Sequence, residues 1–203
     1  MKKFPAMALV EFRGVAVGMY STDAMLKKSP INLLKCGTIS EGRYLTVIAG
    51  TTGSVDEALA EGLFRAKDDV VDHTFLPDVD TRLHNAILGE VLKVSQGSLA
   101  VLETSTVCCN VRAAEMALKG TPVELVEIRL GDPQMGGRGL TVFQGELHDI
   151  EAAMDIATGW LEARNFECVH RILTSPHEAI LGQTDISTEY LKAASMNLEG
   201  EFD

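Results

Sequence analysis

Cysteine and histidine are the first side chains to search for bond-making chemistry. Cys36, Cys108, Cys109 and Cys168 form no C-x-x-C pair, and His73, His84, His148, His170 and His177 include no H-x-x-x-H pair. Cys108 and Cys109 fall in a stretch that reads as strand, where neighbours point to opposite faces and share no metal. The chain has no P-loop, no dinucleotide fingerprint and no recognisable nucleophile–base set. What remains is two short turns, Ile39-Ser40-Glu41-Gly42 and Gln134-Met135-Gly136-Gly137. They offer a hydroxyl, a carboxylate and backbone N–H groups left open by glycine. That chemistry recognises polar solutes and makes no bonds. Taken alone, each stretch is also an ordinary hairpin turn.

The elements that must hold these turns occur twice. Leu33 to Gly50 reads as strand, turn, strand, and Leu125 to Gly145 repeats it. An offset of 92 residues pairs Glu11 with Glu103, Val15 with Val107, Lys27 with Lys119 and Pro30 with Pro122. Beyond the turns the offset is 95, pairing Gly42, Arg43 and Gly50 with Gly137, Arg138 and Gly145. Near the end of each half an offset of 93 pairs His84-x-Ala86-Ile87-Leu88-Gly89 with His177-x-Ala179-Ile180-Leu181-Gly182. That match assigns His84 and His177 one shared structural role. Three blocks in one order identify a duplication.

Each half reads strand, helix, hairpin, helix, strand. The first strand is expected over Met7 to Met19, then a helix from Asp23 to Lys28 capped by Ser21 or Thr22. Ser54-Val55-Asp56-Glu57 is a capping box, followed by a stripe of Val55, Leu59, Leu63, Ala66 and Val70. Thr74 to Leu76 reads as a strand and Leu83 to Leu88 as a short helix. In the second half, Leu99 to Val111 reads as strand and Ala113 to Lys119 as helix. Asp149 caps a helix bearing Ile150, Ala153, Met154, Ala157, Trp160 and Leu161, and Cys168 to Leu173 reads as strand. Domains are expected over residues 1–92 and 93–185, with a tail over 186–203. In the tail Ile186, Tyr190, Leu191, Ala194 and Leu198 could share one helical face. The class is α+β, two small antiparallel sheets, each with helices on one face.

Composition narrows the function. The chain is 46% hydrophobic, enough for a core, and its formal charge is −11, from 18 Lys and Arg against 29 Asp and Glu. An acidic surface argues against nucleic acid and anionic membranes as partners. No apolar run approaches the roughly 20 residues that a membrane helix needs. The opening residues show no export signal. Sparse, unpaired cysteines fit a reducing cytosol and small buried thiols.

Taken together, these residues resemble the bacterial microcompartment shell proteins. The likeness runs through Ala8-Leu9-Val10-Glu11-Phe12-Arg13-Gly14 into Asp23-Ala24-Met25-Leu26-Lys27, the Gly-rich turn, and Gly50 before the helix Val55 to Ala66. It returns in Val101-Leu102-Glu103-Thr104, Glu115-Met116-Ala117-Leu118-Lys119 and Ser175-Pro176-His177-Glu178-Ala179. It covers about residues 6 to 183. The order of elements is similar to the unpermuted tandem-domain subclass, of the propanediol-utilisation type.

The resemblance implies two ferredoxin-like-related domains per chain and a homotrimer that imitates a hexagonal tile. It implies a structural, non-enzymatic shell protein in the cytoplasm, meeting other shell proteins at its edges and passing small metabolites through a central pore. The pore residues carried over are Ile39, Ser40, Glu41 and Gly42, with Gln134, Met135, Gly136 and Gly137. The edge residues carried over are Lys27, Lys119, Pro176 and His177; Ser175 stands where Arg is common. Some tandem members hold an iron–sulfur cluster through a loop Cys. Here Ser40 takes that place and Cys36 lies four residues earlier, so no cofactor and no metal are expected, since such a cluster requires thiolates. The competing expectation is a trimeric α+β protein that binds a small ligand or regulates.

Overall fold

In the computed structural model, residues 6–94, 97–131 and 135–195 are described. Strand β1 (Ala6–Phe12) is buried along its whole length. Its alternation explains why. Ala6, Ala8, Val10 and Phe12 face one way, into a core with Met25, Val55, Ala58 and Leu59. Met7 and Leu9 face the other way, into a second core shared with Val107, Val111 and Leu118 from the far half of the chain.

The first half continues as α1 (Val15–Lys28), β2 (Asn32–Thr38), β3 (Tyr44–Gly50), α2 (Thr52–Ala66), β4 (Val70–Leu76) and α3 (Thr81–Ile87). The second repeats it as β5 (Ser98–Thr104), α4 (Val107–Gly120), β6 (Glu124–Leu130), β7 (Gly139–Gly145), α5 (Leu147–Glu162), β8 (Cys168–Leu173) and α6 (Glu178–Thr184). The antiparallel sheets have strand orders β2-β3-β1-β4 and β6-β7-β5-β8. Both halves are thus an α+β layer with two helices on one face. In addition, α4 covers the opposite face of the first sheet, lying against β1 and β4.

The first strand and helix of each half divide differently from the sequence expectation. β1 stops at Phe12, and α1 already begins at Val15, behind Gly14. Ser21 and Thr22 sit inside α1, both buried, with the Thr22 and Thr46 hydroxyls 2.6 Å apart. Val15, Val17 and Met19 favour strand locally, but packing overrides that preference. Gly18 and Gly62 admit the side chains of Tyr44 and Met25, which a Cβ at either position would meet at 2.5 and 2.6 Å. In the second half, Thr106 caps α4 by accepting the Cys109 N–H, so Leu99 to Val111 is a strand followed by a helix. The cysteine pair therefore lies in a helical first turn, and both thiols are buried. Cys36, expected to be buried, is exposed on β2.

Other boundaries move less. Thr51, not Ser54, caps α2, and Val70 opens β4. Glu146 is the cap residue of α5, and Asp149 sits in its first turn, where the helix dipole favours an anion. β4 and β8 align at an offset of 97, since Leu9 faces Thr74 and Val101 faces Arg171. The helix caps Asp80 and His177 share that offset. His84 inside α3 and His177 at the cap of α6 are therefore not equivalent, and the match at offset 93 is sequence coincidence.

The segment after α6 straps the back of β6. Ser187 and Thr188 hydroxyls donate to the buried Glu127 carboxylate at 2.7 and 2.8 Å. Among the described residues, a 3-10 turn, Tyr190–Lys192, follows, with Tyr190 and Leu191 exposed, so the expected helical face is not formed there. Leu198 lies outside the described residues.

Because β1 belongs to both cores and α4 packs its own half and the back of the first sheet into one of them, the halves should unfold together. Leu118→Ala should cost about 2–5 kcal/mol, and denaturant unfolding of the variant should remain one transition. Two separated transitions would show that the seam does not couple the halves.

Candidate functional site

The two turns named from the sequence come together. In the first, Ile39 N–H donates to Arg43 C=O at 2.9 Å, and Ser40–Gly42 form a 3-10 turn. Glu41 and Gly42 adopt φ of 62° and 72°. In the second, Gly131, Gly136 and Gly137 have φ of 65°, 56° and 75°. Such values favour glycine, which lets both turns bend sharply, and Glu41 takes one of them without that freedom.

Ser40 joins the turns. Its backbone N–H and its hydroxyl both donate to the Gly131 carbonyl at 3.0 Å. The side chain is consequently buried, and its donor is committed inside the protein. Gly137 lies beneath the Glu41 and Arg43 side chains, within 3.0 Å of where its Cβ would stand. Arg43 pairs with Glu41 at 2.7 Å and with Glu11 at 3.5 Å. Exposed at the tips are Glu41, Gly42 and Gly136; Ile39 is half-buried. Met135 is half-buried against Val126, Leu140 and Val142, pointing away from the tips. Gln134 lies outside the described residues.

The donors near this loop do not suit an iron–sulfur cluster. Position 40 supplies an oxygen whose proton already serves Gly131. Cys36 sits back on β2, where its sulfur accepts the Tyr44 hydroxyl at 3.1 Å. That bond, then burial, pushes the Tyr44 hydroxyl up to about 12.

Behind the turns lies the seam between the halves. Glu11 is fully buried and accepts the Cys108 N–H at 2.7 Å, at the start of α4. A carboxylate there answers both the unpaired N–H and the helix dipole. Asp72 accepts the Thr106 hydroxyl and the His73 N–H. Burial, reinforced by the nearby Asp72, raises the Glu11 carboxyl to about 7 against the pull of the Cys108 N–H and Arg43. Burial also pushes the Cys108 thiol well up. Glu11, Asp72 and Cys108 place ligand atoms within 4.8 Å of one another. Both carboxylates there already serve the first turn of α4. Farther along, the buried Glu115 accepts the Asp80 N–H and pairs with Lys119 at 2.7 Å.

The same fittings recur on the other side of each half, without a partner helix. Arg138 and Glu103 repeat the Arg43–Glu11 pair at 3.5 Å. They border an open groove of about 250 Å³ with Glu41, Ser105, Gly136 and Val169. At the equivalent place in the first half, α4 is seated. Helix α1, the counterpart of α4, has its outer face bare. Met19 and Leu26 are 58% and 40% exposed, whereas their counterparts Val111 and Leu118 are 0% and 1% exposed. Val15, Ala16 and Asp23 are likewise exposed, where Val107, Cys108 and Glu115 are buried.

Of the edge residues, Lys27 pairs with the exposed Asp23 at 2.6 Å. The Lys119 ammonium is held by Glu115 and the Asp78 carbonyl. Pro176 is half-buried, and exposed His177 caps α6 by accepting the Ala179 N–H at 3.2 Å. Sequence reasoning named the turns, which the fold brings together, and Lys27, which lies exposed on α1. It missed the Glu11–Arg43 and Glu103–Arg138 pairs, although both pairs stand at the repeat offsets.

Two segments, residues 6–79 and 98–174, match the BMC domain. The chain is 30% identical over 178 residues to the bacterial microcompartment shell protein PduT of Citrobacter freundii, spanning 88% of this chain and 96% of that one. A microcompartment protein from Desulfitobacterium hafniense DCB superposes with a TM-score of 0.77 at 27% identity, covering 87% of this chain and 98% of that one. The fused permuted hexameric shell protein MSM0275 from the RMM microcompartment superposes with a TM-score of 0.54 at 22% identity, over 77% and 81%. At that identity the likeness concerns the fold.

The raised Glu11 carboxyl sets a pH dependence. In the unfolded chain it titrates near 4.5, in the folded chain near 7. The folded form thus binds the proton more tightly, and its contribution is full below 4.5 and lost as pH rises through 7. Glu11→Gln keeps an acceptor for Cys108 N–H and should remove up to about 3 kcal/mol of this decline. Denaturant titrations at pH 5 and pH 8 check it; equal slopes in both proteins would refute it.

Proposed function

Because the chain belongs to the BMC-domain family of bacterial microcompartment shell proteins, we propose that three copies close head to tail into a six-domain tile with a central pore. One observation carries the ring. Within the chain, α4 docks on the back of the first sheet. The second sheet presents the matching back, and α1 the matching helix face. A partner's α1 entering the groove beside Glu103 would bring the Ala16 N–H to that carboxylate, as Cys108 N–H meets Glu11. Asp23 would meet the N–H of a neighbour's His177, as Glu115 meets Asp80. Such an interface joins unlike faces and must close into a ring or extend without end. Two domains per chain in a hexagonal family close it at three chains.

In that ring the joined turns gather on the axis. Glu41, Gly42 and Gly136 border the opening, and three Glu41 carboxylates bias it against anions. Arg43 beside each carboxylate moderates that bias. The Ser40 hydroxyl holds the rim in shape and does not meet solutes. The protein acts as a tile and conduit without chemistry of its own, and the reading includes no iron–sulfur cluster. Lys27 serves the rim of the tile, where its long stem can lie along a neighbouring shell protein.

Light scattering on the purified chain should give about three times the 21.9 kDa protomer mass. Met19→Asp should leave the fold intact, since Met19 is exposed in the protomer, and release monomers. A Met19→Asp protein that remains trimeric would overturn this interface. Glu41→Gln should leave assembly unchanged and raise the anion-to-cation permeability ratio of tiles in planar bilayers. An unchanged ratio would remove Glu41 from the conduction path.

A further inference from the structure

We infer that the seam between the two halves carries a binding site for a small oxyanion ligand, a carboxylate or a phosphate monoester. A groove of about 340 Å³ opens there, lined by Leu59, His73, Phe75, Arg112, Trp160 and Arg164. That volume falls in the range of small-molecule sites. Two guanidinium groups and an imidazole converge on it from β4, α4 and the segment after α5.

Two arginines without a carboxylate partner meet at this one groove; among the described residues Arg13 and Arg171 also lack an ion pair but do not line it. Arg43, Arg65, Arg82 and Arg138 each pair with a carboxylate. Among the described residues, neither Arg112 nor Arg164 has a carboxylate within salt-bridge distance. Arg112 gives one bond to the Phe75 carbonyl at 3.4 Å. Arg164 lies over the Trp160 ring, 4.6 Å from its centre, and gives one bond to the Trp160 carbonyl at 3.5 Å. A guanidinium carries five N–H donors, so each retains donors for a ligand. Asp72 also lines the groove, but its carboxylate serves the Thr106 hydroxyl and the His73 N–H. In a chain of formal charge −11, two such cations in one groove favour an anion. Leu59, Phe75 and Phe166 add hydrocarbon for a short organic body.

The repeat supplies a second argument. At its offsets, Arg112 corresponds to Tyr20 and Trp160 to Arg65, which pairs with Glu61 at 2.6 Å. Packing of the fold therefore does not require these residues at the seam. Residues that the fold does not require, gathered around one groove, are the mark of a ligand site. The groove and its arginines stand on the single chain; the comparison with Tyr20 and Arg65 rests on the proposed ring, in which α1 and α2 line the matching seam.

Trp160, the only tryptophan, reports on the groove directly. Titration of the full chain with inorganic phosphate, glycerol phosphate and propionate should give a saturable fluorescence change for at least one. Sodium chloride at matched ionic strength should not reproduce it. The preferred anion distinguishes phosphate from carboxylate ligands. Calorimetry should then show about tenfold or greater loss of affinity in Arg112→Gln and in Arg164→Gln. If Arg112→Gln fails to fold, Arg164→Gln decides the matter, because its side chain is exposed. No saturable response beyond chloride, or undiminished affinity in Arg164→Gln, would overturn the site.

Discussion

A four-stranded sheet has two faces, and two helices of its own half can cover only one of them. This constraint governs the molecule. β1 and β3 are apolar on both sides, because Met7, Leu9, Leu45 and Val47 look away from α1 and α2. Water cannot cover those side chains without loss, so a neighbouring unit must. Inside the chain that neighbour is α4, and its arrival buries Glu11. The acid can remain there because a helix N-terminus presents N–H groups where it ends. A polar anchor thus fixes where an apolar contact docks.

Fixing the seam also fixes the turns. Ser40 and Gly131 come from different halves and can meet only if α4 lies in register on the first sheet. Ile39 and Val107 occupy the space that a side chain at Gly131 would need, again drawing one group from each half. The rim is consequently made by backbone bends braced against each other. The exposed tip is set by glycine positions and by Glu41, and little by the side chain at position 40, which is turned inward to Gly131.

The sequence read alone revealed the duplication, the layer class and both turns, since hydrophobic alternation and glycine spacing are local signals. It misplaced the start of α1 and α4 because Val15, Val17, Val107 and Val111 carry strand-like propensity. Only the shape of the surroundings, such as Tyr44 filling the space at Gly18, holds them in a helix. The matched His84 and His177 blocks misled for a related reason: strand register, not residue identity, sets equivalence at β4 and β8. The buried orientation of Ser40 was not legible at all, because its partner lies 91 residues away. The Glu11–Arg43 and Glu103–Arg138 pairs were within reach, as each follows from the offsets already in hand.

Fusing two copies in one chain changes what a tile can evolve. In a ring of identical domains every seam is the same surface, and any residue placed there appears at all of them. With two unequal halves, seams alternate, and each can be altered alone. The seam inside this chain has its α4 face sealed by Val111, Leu118 and Glu115, and it carries Arg112, Trp160 and Arg164 around a groove. The repeat-equivalent surfaces lie open in the single chain: α1 and α2 carry Tyr20 and a paired Arg65, and on the second sheet Glu103 is more open than Glu11. The inner seam can therefore stay permanently closed and still acquire a charged pocket. The bare face of α1 stays open to solvent, with Met19 and Leu26 exposed beside charged Asp23 and Lys27.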